Sequence, residues 1–246
     1  MASFKTIIYS KNCHTAIVSL NRPHVLNAYN MQMRDDLFEI IQSIKDDDDI
    51  KSVLISGQGR AFCSGADLTE FGTAPSQAIA REVRWKRDVW GQLYSLHKPV
   101  ISALHGYCIG SGLELALLSD IRISSPETKF SMPEVQLGMI PAAGGTQTLP
   151  RHAGVSSGVE LLLTGRTFTA EEALNLKLLT QIVPTHKLTE TALNVCQNLS
   201  RVPMNILSAT KLALRESSDL EMGAAVSLGS RQYLRTFNSY HGPQDI

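Results

Sequence analysis

Two acids and three glycine-rich turns are the parts of this 246-residue chain best suited to chemistry. Glu114 stands in the run Leu113-Glu114-Leu115-Ala116-Leu117-Leu118, where every other side chain is apolar. A carboxylate in such a setting is buried or belongs to a site. Glu134 follows Met132-Pro133 at the end of a strand-like run. Taken singly, each has a plain structural explanation: a first-turn acid compensating a helix dipole, and a helix N-terminal acid after proline. The turns are Arg60-Ala61-Phe62-Cys63-Ser64-Gly65-Ala66-Asp67-Leu68, Gly106-Tyr107-Cys108-Ile109-Gly110-Ser111-Gly112-Leu113-Glu114 and Ile140-Pro141-Ala142-Ala143-Gly144-Gly145-Thr146. In each, small residues lead into a helix, which leaves backbone N–H groups unpaired at the positive end of its dipole. Two such N–H groups from separate turns, aimed at one point, form an oxyanion hole. A glycine-rich turn alone is more often only a tight connection. Two acids together with three such turns favour a paired-carboxylate site.

The elements that must position these groups read as follows. Residues 4–10 and 15–20 are short strands joined through 11–14, and Pro23 stops the second ladder. Met33, Leu37, Ile40, Ile41 and Ile44 recur at helical spacing and predict a helix over 31–45. The acidic run 46–49 reads as a solvated turn rather than a cation site, because consecutive carboxylates face different directions. Residues 53–55 and 100–104 are buried strands, and 121–123 and 129–131 short ones. Residues 74–96 read as one long helix carrying Trp85 and Trp90, with packing on the core as the default for both. A helix is expected over 113–118 and another opening after the 141–145 turn. Beyond about 155, strand runs nearly vanish, and 159–163, 169–176, 187–199 and 205–215 look helical. Thr169 and Glu172 there form a capping-box pattern. The expected organisation is an α/β core over 1–155 and a helical region over 156–246.

Composition excludes several classes. With 43% hydrophobic and 19% charged residues the chain is an ordinary globular protein. Lys+Arg 23 against Asp+Glu 23 gives zero formal charge, so no global field draws in nucleic acid or an anionic membrane. Cys13, Cys63, Cys108 and Cys196 form no CxxC pattern; they read as small core residues in a reducing compartment, with no metal site expected. The start of the chain has no signal layout, and no apolar run approaches the ~20 residues of a membrane span. A soluble, cytoplasmic protein is expected. His105, beside Gly106, reads as structural, since nothing completes a Ser/His/Asp triad.

Several stretches together carry a family resemblance. Leu20-Asn21-Arg22-Pro23 with Leu26-Asn27-Ala28, then Gly59-Arg60 running into the first glycine turn, resemble the enoyl-CoA hydratase/isomerase (crotonase) superfamily. So do Lys98-Pro99-Val100-Ile101 with the second turn, Phe130-Ser131-Met132-Pro133-Glu134, and Ile140-Pro141 with Gly144-Gly145-Thr146-Gln147. The match spans nearly the whole chain in order. It implies an α/β fold, a crotonase-like spiral of ββα turns with a helical C-terminal trimerisation region. It also implies an acyl-CoA thioester as substrate, a homotrimer or dimer of trimers, and no cofactor beyond the coenzyme A of the substrate.

Carried onto this chain, the resemblance makes the backbone N–H groups of Ala66 and Ser111 the oxyanion donors; many relatives have glycine at the latter. Ser64, Gly65, Asp67 and Leu68 fall where relatives hold the adenine and pantetheine portions. Gly110 belongs to the second turn, and Ala142 stands where many hydratases have a glycine whose N–H helps position water. Glu114 and Glu134 match both glutamates of the hydratase branch, whereas many isomerases keep only the second. Hydration of a trans-2-enoyl-CoA is therefore expected. An isomerase, a hydratase for branched, cyclic or dicarboxylic acyl-CoA, or a non-catalytic acyl-CoA-binding scaffold are the alternatives. Relatives usually continue past Gln244-Asp245-Ile246 with a charged segment over the CoA or a neighbouring subunit, so those contacts are expected to differ. Residues 74–96 fall where relatives shape the acyl pocket.

Overall fold

A two-residue turn at Cys13-His14 folds β1 (Ile7–Asn12) antiparallel onto β2 (Thr15–Leu20), pairing Asn12 with Thr15. Cys13 takes the left-handed conformation (φ 51°) that such a hairpin requires. The strand thus starts later and runs further than residues 4–10. The computed structural model describes residues 4–237, so Gln244-Asp245-Ile246 lies outside the described residues. Helix α1 (Met31–Asp46) is capped by the Asn30 side chain, which accepts from the Met33 N–H. All five residues of its predicted apolar stripe are buried.

From β3 (Ser52–Gly57), parallel to β2, the chain winds repeatedly: a strand in the main sheet, an extended segment in a second layer, then helix. In the first winding, residues 61–64 supply the second-layer segment, followed by α2 (Gln77–Lys86) and α3 (Val89–Ser95). These two helices replace the single helix expected over 74–96. Arg87 leaves helical geometry (φ −118°, ψ 50°), and the Asp88 carboxylate caps the next helix by accepting from the Gly91 N–H. In the second winding β4 (Val100–Leu104) passes to β5 (Tyr107–Ile109) and α4 (Ser111–Leu117). In the third, β6 (Ile121–Ser124) passes to β7 (Lys129–Ser131), a 3-10 turn at Glu134–Leu137, α5 (Gly145–Ala153) and α6 (Val155–Thr164).

The remaining elements are β8 (Phe168–Thr169), α7 (Ala170–Asn175), β9 (Gln181–Ile182), α8 (Leu188–Ser200), α9 (Met204–Ser217) and α10 (Met222–Phe237). The main sheet runs β1-β2-β3-β4-β6-β9, and the second layer β5-β7-β8. Two short strands after residue 155 thus return to the two sheets. Thr169 caps α7 by accepting from the Glu172 N–H, but the Glu172 carboxylate pairs with Arg166. Only half of the expected capping box is made.

Both faces of the main sheet are covered, which is why its parallel strands read as continuous apolar runs. Leu54, Ile101, Ala103 and Ile123 pack against Leu188, Ala192 and Cys196 of α8. The opposite face joins α1 and α4 in the larger core with Val53, Ile55, Val100 and Leu104. Cys63, Cys108 and Cys196 are buried and Cys13 is exposed. In the 46–49 turn, Asp47 and Asp49 pair with Lys11 at 3.0 and 2.6 Å. No helix among the described residues is long and apolar enough to cross a membrane.

Candidate active site

Three neighbouring parallel segments end at one place, and the candidate residues sit just past those ends. Cys63 pairs with Cys108, and Cys108 of β5 pairs with Phe130 of β7. Three residues beyond the paired cysteines lie Ala66 and Ser111; four beyond Phe130 lies Glu134. The carboxyl ends of parallel strands are where open α/β sheets bind ligands. All ten residues singled out in the sequence line one cavity of about 610 Å³ there. Ser64, Gly65, Ala66, Asp67 and Leu68 come from the first turn, Gly110, Ser111 and Glu114 from the second, and Glu134 and Ala142 from the third winding.

The first turn is held by the motif around Asn27. Asn27 is fully buried at φ 57°, accepts from the Arg22 N–H, and donates to the carbonyls of Gln58 and Ala61 at 2.9 and 2.8 Å. Arg22 reaches the Ala28 carbonyl at 2.7 Å and Asp67 at 2.9 Å. The Asp67 carboxylate also accepts from Thr69, so its side chain fastens the turn. These contacts hold that carboxyl below the ordinary carboxylate value, with Thr69 contributing most. The Tyr29 N–H donates to the Gly65 carbonyl, and the Asp67 N–H to the Tyr29 carbonyl. In this bridge the intervening Ala66 N–H faces away from Tyr29. Neither it nor the Ser111 N–H, in the first turn of α4, has an acceptor among the described residues. Gly65 (φ 107°) and Gly110 (φ 50°) supply the backbone geometry of the two turns. A Cβ on Gly110 would lie 2.6 Å from Glu134 Oε1.

Glu114 is 2% exposed. Its Oε1 accepts from the Ala143 and Gly145 N–H groups at 2.8 and 2.9 Å. The third glycine turn therefore binds an anion that the protein itself provides, a tertiary commitment that spacing does not reveal. Burial pushes the Glu114 carboxyl above the ordinary carboxylate value; the Gly145 and Ala143 donors, Arg84 and Ser111 oppose that shift without cancelling it. Glu134 is also pushed up, by burial first and then by the charge of Glu114. Its Oε2 is buried without a hydrogen-bond partner. Two carboxyls both pushed up by burial, with one oxygen of Glu134 unpartnered, can share and exchange a proton with a bound water.

Other candidates fall elsewhere. Trp90 lines the cavity against Tyr29, with ring centroids 5.2 Å apart, whereas Trp85 is 68% exposed beneath Arg81. The expected core packing therefore holds for Trp90, which packs on the main core while lining the cavity, and fails for Trp85. His105 bonds the Gly59 carbonyl at 3.1 Å. Among the described residues no three His, Cys, Asp or Glu side chains gather as metal ligands. Sequence reasoning missed Tyr29, whose buried hydroxyl has no partner among the described residues. No local pattern marks that tyrosine; only its place beside the first turn does.

The family model described as enoyl-CoA hydratase/isomerase matches residues 11–244. The chain belongs to that family. It is 32% identical over 244 residues to a Mycobacterium bovis protein named probable enoyl-CoA hydratase, covering 99% of this chain and 92% of that one. It is 33% identical over 221 residues to the Escherichia coli protein named 2,3-dehydroadipyl-CoA hydratase, covering 90% and 86%. A crystal structure of enoyl-CoA hydratase from Bacillus anthracis has a TM-score of 0.88 at 30% identity, over 93% of this chain and 90% of that chain. The fold is thus the crotonase fold, a mixed α/β spiral followed by helices, and the protein is an enzyme of the hydratase-lyase type.

Proposed function

We propose that this family member adds water across a trans-2-enoyl-CoA thioester to give the 3-hydroxyacyl-CoA, reversibly. The observation that carries the reading is the meeting of two acceptor-free N–H groups, Ala66 and Ser111, with Glu114 and Glu134 in one cavity. The thioester oxygen accepts from the two N–H groups, which draws electron density from C3. One carboxylate takes a proton from the water as its oxygen bonds to C3, and the resulting enolate oxygen is held by the same two donors. The other carboxyl supplies the proton that closes C2. Each oxyanion donor is worth about 2.7–4 kcal/mol of barrier in enzymes where one has been removed.

Glu114 is tied to two backbone donors and Glu134 is not, so the water is held between one fixed and one freer carboxyl. Ser64, Gly65, Asp67 and Leu68 form the cavity wall assigned to the coenzyme A portion, with Gly110 opening the second turn and Ala142 closing the acyl side. The reaction calls for no group beyond the substrate's own coenzyme A. The exposed apolar side chains of α9 and α10, among them Leu214, Met222, Val226 and Leu234, are the surface assigned to contact between copies in a trimer. Mixing the enzyme with crotonyl-CoA tests the reading: conjugated-thioester absorbance should fall as the hydroxyacyl product forms. Inertness there, with absorbance rising on a 3-enoyl-CoA instead, would mean an isomerase; inertness to both with CoA bound would mean a scaffold.

A further inference from the structure

Much of the cavity lining is apolar, Ile79, Val83, Trp90, Leu137, Met139 and Ile140 among it. Three arginines also line it, Arg34, Arg84 and Arg87. Two are neutralised: Arg34 pairs with Asp35 at 2.9 Å and Arg87 pairs with Glu39. Arg84 of α2, exposed to the open cavity, has no carboxylate partner within ion-pair distance among the described residues. Its guanidinium donates to the Ala142 carbonyl, next to the Ala143 N–H that holds Glu114. Its charge is felt by both Glu114 and Tyr29. Tyr29 adds a second donor to the same region, a buried hydroxyl without an acceptor.

A cavity with two carboxyls at its reacting centre repels any ligand that carries another negative charge. A guanidinium in the same cavity lining with no ion-pair partner among the described residues reverses that preference for one class of ligand. We infer, resting on the hydratase reading, that Arg84, aided by the Tyr29 hydroxyl, selects acyl chains that end in a carboxylate, so that the substrate is the CoA thioester of a short unsaturated dicarboxylic acid. Guanidinium and carboxylate match in shape and charge, and the five N–H donors of arginine allow the Ala142 bond to persist while others turn to the ligand. In the proposed reading the thioester end is placed by Ala66 and Ser111, and Arg84, bonded to Ala142 in the same cavity lining, meets the far end of the acyl chain.

The phosphates of coenzyme A are the other anions Arg84 could meet, and the test separates the two. The probes are trans-2-hexenoyl-CoA and the same thioester with its terminal methyl replaced by a carboxylate, assayed on the whole enzyme. The ratio of kcat/KM, carboxylated over neutral, should exceed unity by about 10- to 100-fold in the native enzyme. Arg84→Ala should collapse that ratio toward unity, Arg84→Lys should retain part of it, and Tyr29→Phe should lower it by a few-fold. Because both substrates are measured on the same folded molecules, partial unfolding leaves the ratio untouched. Arg84→Ala lowering both substrates in proportion would place Arg84 on the CoA phosphates and overturn the inference, as would a native ratio at or below unity. Hydration of neither probe would defeat the hydratase reading itself and this inference with it.

Discussion

Replacing Gly110 with alanine puts a methyl group between the two halves of the proposed machinery. The new Cβ would lie 2.6 Å from Glu134 Oε1 and 3.5 Å from its Cδ. Ordinary carbon contacts sit at about 3.5 Å or beyond, so the carboxyl must retreat by roughly 1 Å. A displacement of that size at a reacting group costs on the order of 100-fold in rate. Gly110 also holds φ 50° and ψ −122°, which a side chain adopts at a cost of about 1–3 kcal/mol. Gly154→Ala separates the two effects: it has φ 83°, ψ 155° and no atom within 4 Å of its added Cβ. Initial rates on crotonyl-CoA, normalised to folded protein by denaturant melts, give the comparison. Both variants should lose about 1–3 kcal/mol of stability, and only Gly110→Ala should lose roughly 10- to 100-fold in kcat. Native kcat in Gly110→Ala, or an equal loss of kcat in Gly154→Ala, would refute the placement of Glu134.

Two further outcomes follow from the same geometry. Glu134 binds its proton more tightly in the folded chain than when unfolded, so its share of stability is full below the ordinary carboxylate value and is lost as pH rises through the raised one. Glu134→Gln should therefore gain thermal stability relative to the native protein as pH rises from about 4 to about 7, read from melting temperatures across that window; a difference constant with pH would contradict it. Asn27→Ala strips three hydrogen bonds, one buried and two part-buried, from the base of the first turn and should cost about 2–4 kcal/mol in a urea melt, whereas a loss under about 0.5 would show that the motif does not hold that turn.

The legible parts of the site are those in which local chemistry leaves few choices. Gly65 and Gly110 stand where positive φ is needed, and Glu114 is the lone acid of an otherwise apolar helix, so local composition marked the turns and the acid while the resemblance supplied the roles of the glycines. Helix α1 was legible because its buried stripe and its periodicity are the same thing. The break between α2 and α3 was not, because the Asp88 cap interrupts a run whose charges already blur any stripe. Helix α10 went unread although Met222, Val226, Tyr233 and Phe237 recur at helical spacing, and in the fold that stripe is exposed rather than packed on the core. The Arg84 contact with Ala142 joins residues 58 positions apart, and the engagement of Glu114 by the third turn spans 29 and 31. Such pairings exist only once the windings are stacked.

The central claim is that Glu114 and Glu134 act together on one water. The most direct test is the kcat for crotonyl-CoA hydration in Glu114→Gln, in Glu134→Gln and in the double variant. Glutamine at 114 keeps an oxygen for the Ala143 and Gly145 donors, so the fold of the site is retained. Each single variant should fall by about 100- to 10,000-fold, and the double should stay within about 10-fold of the worse single. A double variant whose loss is the product of the two single losses, or a single variant with native kcat, would show that the two acids do not share that water.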